Sequence, residues 1–216
     1  MEEQHFEISF LVRDQDKKFQ KSIDFLETEG ETKYLRQSDN QLKLYGSLNG
    51  GFFHADAPVA AKLRELETLI FYPPCYNYTS SEDGREQLET ALGFVSRLYQ
   101  AVDPSYVFGL HNWQIDVTEA GHPKHEISPP VSDEGLANDR IDHPTWLMLF
   151  PPEMVTEYGR EWLLELPAAY VEELDDGAIM VVATTDFRDC ETGMDVVELI
   201  DDAMEPIVDG FDEREP

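Results

Sequence analysis

Six histidines and forty-five carboxylates are the groups in this chain able to do chemistry, and their spacing decides little by itself. His122 and His125 stand at i, i+3 in the run His122-Pro-Lys-His125-Glu126. Two imidazoles so spaced can meet one metal ion in a tight turn, with His111 or His143 as a third ligand. Pro123 works against a helix there, so two solvent-facing loop histidines is the reading the residues favour. Asp142-His143 offers a carboxylate–imidazole pair, yet no serine or cysteine stands in a nucleophile elbow. Acid pairs such as Asp175-Asp176 and Asp201-Asp202 suit acid–base work, but a chain this acidic makes such pairs by chance. Cys75 and Cys190 form no C-x-x-C pair and no metal spacing, which reads as two separate reduced thiols. No metal and no cofactor is expected.

Aromatic side chains carry the stronger signal. Phe52 and Phe53, and then Tyr72, Tyr76 and Tyr78, lie beside glycines and prolines and not on a periodic stripe. Tyrosine on loops offers a large contact area at small entropic cost, so these five, with His122 and His125, form the expected partner-binding set. Packing beneath loops is the competing reading of the same residues.

Charge sets the environment. The 45 acids against 16 bases leave a net charge of −29. Self-repulsion of that size opposes a compact state, and at about 1 M salt a Debye length of ~3 Å screens it. The acids run along the whole chain, which fits a protein adapted to a salty cytoplasm, as in a halophilic archaeon; an acidic face for a basic partner is the sharper alternative. Binding to nucleic acid phosphates is disfavoured. The chain lacks an apolar run long enough for a membrane span, and its acidic N-terminal residues are unlike a signal peptide. A cytoplasmic location follows as the expectation.

The elements that must position these groups alternate between strand and helix patterns. Residues 5–12 alternate as a strand with one buried face. Asp14 or Asp16 caps a helix to about residue 28, stopped by Gly30. Residues 33–36 and 41–47 read as a hairpin around Ser38-Asp39-Asn40. Pro58 opens an expected helix to residue 71, with Val59, Leu63, Leu66 and Ile70 as its stripe. The longest helix is expected over residues 81–102 and is closed by Asp103-Pro104. A β-prone segment follows at 105–117, with a break near Gly109. Residues 119–140 read as a long loop suited to a partner. The densest region is 141–186: a strand at 145–150, short helical pieces to 166, an irregular stretch at 167–174 and a strand at 178–185. A last helix is expected over 194–206, and residues 209–216 form an acidic tail. Together these predict one α+β domain over 1–208, made of two unequal α/β halves (1–80 and 81–208), with a mixed or antiparallel sheet flanked by helices.

The run TWLMLFPPEMVTEYGREWLLELP, followed by the glycine-led strand from Gly177, resembles the C-terminal half of the immunity proteins of polymorphic and type VI secreted toxins. LYQAVDPSYVFG resembles the helix-to-strand passage of the same group. The resemblance implies a non-enzymatic protein that binds and neutralises a cognate toxin, with a preformed surface and no buried nucleophile. Two other readings stand beside it: a subunit of a larger homo- or hetero-oligomeric assembly, and a small metal-dependent hydrolase using His111, His122, His125 or His143.

Overall fold

The computed structural model describes residues 6–46, 48, 52–55, 63, 66–73, 82–111, 130–185 and 195–204. Among these, nine strands form one sheet in the order β2-β3-β4-β5-β1-β6-β7-β9-β8. In chain order they are β1 (Phe6–Val12), β2 (Thr32–Ser38), β3 (Gln41–Gly46), β4 (Phe52–Ala55), β5 (Glu67–Tyr72), β6 (Tyr106–His111), β7 (Leu147–Phe150), β8 (Tyr170–Glu173) and β9 (Ile179–Val182). Every neighbouring pair is antiparallel. The helices are α1 (Gln15–Glu29), α2 (Glu82–Val102), α3 (Asp133–Ala137), α4 (Pro152–Tyr158) and α5 (Arg160–Leu164), and residues 195–204 are also helical. This is an α+β single-domain fold.

Alternation along the strands builds two cores, one on each face of the sheet. Ile8, Phe10 and Val12 of β1 join Leu69 and Phe71 of β5 beneath α1 and α2. Leu11 turns the other way, to join Phe108, Met148, Phe150 and Val181 beneath α4, α5 and the helix at 195–204. The cores are thus divided by face, and β1 and β6 pair across residue 80, so the two α/β halves read from the sequence share one sheet.

Four elements differ from the sequence reading. Residues 67–72 are strand and not the end of a helix; Leu69 and Phe71 bury on one face while Thr68 and Ile70 are buried on the other. A strand buried on both faces loses its alternation, and its apolar run then imitates a helical stripe. Residues 170–173, expected to be irregular, form the edge strand β8. Gly109 does not break its strand: it pairs with Ile8 on one side and Leu147 on the other. A Cβ at Gly109 would lie 2.9 Å from the Leu147 Cβ and 3.0 Å from the Trp146 ring, so the glycine marks a close approach. The expected loop at 119–140 contains α3, and its earlier part, residues 119–129, lies outside the described residues.

Candidate functional site

The strands of the sheet's centre begin and end along one rim. There β1 and β7 finish, and β5, β6 and β9 start, because antiparallel register sets Val12 beside Glu67, Leu11 beside Tyr106 and Phe150 beside Ile179. A cleft of about 630 Å³ opens on this rim. Its walls carry five carboxylates (Asp103, Asp133, Asp139, Glu153 and Asp176) and a single cation, Arg13, among the described residues.

Local structure places these acids in two ways. Asp133 and Glu153 stand in the first turns of α3 and α4, where the positive end of the helix dipole favours a carboxylate. Asp103 and Asp139 stand just past the ends of α2 and α3, at φ +53° and +55°. That left-handed conformation usually goes to glycine or asparagine, and the negative dipole end disfavours an acid. The end of α3 is a Schellman motif: the Arg140 N–H donates to the Gly135 carbonyl at 2.8 Å, and that of Asp139 to Leu136 at 3.4 Å. The Ser132 hydroxyl caps its other end, accepting from the Gly135 N–H at 3.0 Å. At the end of α2 the Lys18 Nζ compensates. It donates to the Val102 carbonyl at 2.6 Å and the Asp103 carbonyl at 2.7 Å, and lies 3.3 Å from the Asp103 carboxylate.

Burial and neighbouring carboxylates act on two groups of the cleft, Asp139 and Tyr99. Asp139 is held above the usual carboxylate range by partial burial and then by Glu153 and Glu157. The Tyr99 hydroxyl is raised by burial, by the charges of Asp176, Glu153 and Asp103, and by its hydrogen bond to Asp176. Asp176 also accepts from the Ala178 N–H at 3.1 Å, which fixes the turn into β9. Behind the cleft, the Tyr158 hydroxyl is pushed up to about 12 by burial, while accepting from the Ile141 N–H at 3.0 Å. The arrangement is suited to receiving guanidinium or ammonium groups.

Of the aromatic set expected from the sequence, Phe53 and Tyr72 stand on β4 and β5 and do not line the cleft. Phe53 is fully buried and its ring stacks on Phe19 at 5.8 Å, so it belongs to the core and offers no surface to a partner. Phe52 and Tyr72 are register partners on β4 and β5. Tyr72 is half-buried, with its hydroxyl donating to Glu7 at 3.5 Å. Tyr76, Tyr78, His122 and His125 fall outside the described residues. His111 ends β6 and His143 is exposed on the loop before β7. Among the described residues no group of three His, Cys, Asp or Glu side chains is arranged to hold a metal ion, and no helix is long and apolar enough to cross a membrane. Trp146 and Trp162 serve packing: Trp146 is buried and donates to the Thr184 carbonyl at 2.9 Å, and Trp162 stacks on Tyr158 at 6.1 Å.

No protein-family profile matches the chain, and no curated protein matches its sequence. Among solved structures it is similar in fold to the Pseudomonas aeruginosa T6SS protein PA0821, with 13% identity and a TM-score of 0.51. The match covers 94% of this chain and 73% of that one. At this identity the likeness concerns the fold.

Proposed function

We propose that this chain is a non-enzymatic, cytoplasmic protein-binding protein of the immunity kind, whose acidic rim cleft receives a basic segment of a toxin. The carrying observation is the pair Asp103 and Asp139, both left-handed at helix C-termini and both facing the cleft. Glycine or asparagine would serve the backbone better at either position. A carboxylate where local structure disfavours it supports a demand on its charge, met in part at Asp103 by Lys18. The fold shared with a T6SS protein agrees with this reading. In multimolar salt long-range steering is screened, and charge-assisted hydrogen bonds made at contact inside a cleft are screened least.

The test is neutralisation. The basic protein captured by the tagged chain from its native host is expressed in a heterologous host, and growth is followed with and without this chain. Wild type is expected to restore growth, and the triple variant Asp103→Asn, Asp139→Asn, Glu153→Gln is expected to lose that ability while folding normally by circular dichroism. Equal rescue by both would remove the cleft from the reading. A captured partner with no toxicity would remove the immunity role itself.

A further inference from the structure

The open edge of the sheet at β2 differs in chemistry from the rest of the molecule. Between residues 32 and 46 the hairpin of β2 and β3 carries Lys33, Arg36 and Lys43 against one acid, Asp39. Leu42 and Leu44 face the helices and are buried, and Tyr34 packs partly against them. The alternate residues face the other way: Leu35 is 56% exposed and Tyr45 43%, both large apolar side chains left in water. Register places Leu35 opposite Lys43 and Tyr45 opposite Lys33, so all four share one open patch. Beyond β2 the sheet has no further strand among the described residues, and Lys33 to Ser38 are half-buried or exposed. An edge strand with no further strand beside it among the described residues, and with an exposed leucine, is a template for pairing with another strand.

We propose that two copies of this chain pair through β2, antiparallel about a twofold axis at Leu35, to give one continuous sheet. Leu35 is the middle residue of Thr32–Ser38, so a twofold there centres the pairing on the exposed part of the strand. This register sets Leu35 opposite Leu35 of the second copy, Tyr34 opposite Arg36, and Lys33 opposite Gln37. No like charges face each other, and the two leucines gain apolar cover beside the Tyr45 rings. Centring on Lys33 or Arg36 would instead oppose identical cations. The irregularity between Arg36 and Ser38 lies outside the central three residues that this ladder needs. A C2 interface must be self-complementary, and on a chain of net charge −29 this hairpin is a surface where two copies meet without acid facing acid. The pairing is independent of the rim cleft.

Sedimentation of the full chain at rising concentration, in roughly 0.2 M and 2 M KCl, measures it. A shift from one to two chain masses is expected, stronger in the higher salt because whole-molecule repulsion is screened there. Leu35→Asp should abolish the shift. Leu35→Cys, with Cys75 and Cys190 replaced by serine, should form an intermolecular disulfide on mild oxidation, and Tyr45→Cys in the same background should not. A monomer at every concentration and salt overturns the proposal, even if β2 then binds an extended segment of another protein. A dimer untouched by Leu35→Asp, or a Leu35→Cys variant that fails to cross-link, overturns it as well.

Discussion

The indole of Trp146 lies over Gly109 so closely that a Cβ on the glycine would sit 3.0 Å from its Cε3 and 3.2 Å from its Cζ3. Gly109 is flanked by the central strand β1 on one side and by β7 on the other. The ring is buried and the glycine is paired on both sides, so a methyl here requires a shift of one of them. Gly109→Ala is expected to destabilise the fold by about 1–3 kcal/mol, the usual range for overpacking a core. Urea denaturation followed by tryptophan fluorescence would measure it, and an unchanged midpoint would show that the ring can shift.

Lys18 ties α1 to the end of α2 through three oxygens on Val102 and Asp103. Lys18→Met keeps the aliphatic stem and removes the charge. A loss of about 1–2 kcal/mol is expected, from unmet helix-end carbonyls and the dipole they carry. The variant Asp103→Gly in the Lys18→Met background should recover part of that loss, because glycine suits the left-handed position.

Asp139 separates backbone demand from charge demand. Asparagine tolerates φ near +55° and removes repulsion from Glu153 and Glu157, so Asp139→Asn should raise thermal stability slightly. Asp139→Ala removes the same charge but disfavours the left-handed conformation by about 1–2 kcal/mol. The alanine variant should therefore melt below the asparagine variant, and the reverse order would contradict the geometry.

Glu7 lies on β1 with its carboxylate accepting from Ser9 at 3.2 Å and from Tyr72 at 3.5 Å. Burial raises its pKa, against the opposing effect of those two bonds. The folded carboxyl holds its proton more tightly than the unfolded one. Its contribution to stability is therefore complete below the unfolded carboxylate range and is lost as pH rises through the folded value. Glu7→Gln should stabilise the protein at neutral pH, and the gain should vanish at roughly pH 4. A gain of equal size at both values would exclude the ionisation of Glu7 as its cause.

Salt should act on the whole fold in one direction. With a net charge of −29, the melting temperature is expected to rise from dilute buffer to multimolar KCl. Equal melting temperatures would separate the acidity from salt adaptation and leave it to partner binding.

Much of the fold was legible because half-buried elements write their period into the residues. The strand expected at 5–12, the helix ending at Gly30 and the long helix closed at Asp103 each appear within about two residues of their expected limits. The failures are physical. Central β5 is buried on both faces, and edge β8 is polar and only half-buried, so neither alternates. The acidic cleft was illegible because its residues, 103, 133, 139, 153 and 176, meet only through the register of five strands. The one local hint was aspartate where a helix would ordinarily end in glycine, as at Asp103-Pro104.

The first strand of the chain lies between β5 and β6, whose residues arrive some sixty and a hundred positions later. Synthesis from the N-terminus therefore delivers the middle of the sheet before either of its neighbours exists. A growing chain that stops short of residue 111 holds Ile8, Phe10, Leu11 and Val12 with one ladder partner missing. The block β2-β3-β4-β5-β1 can pair once residue 72 is made, and the other side of β1 stays open until β6 follows some thirty residues later.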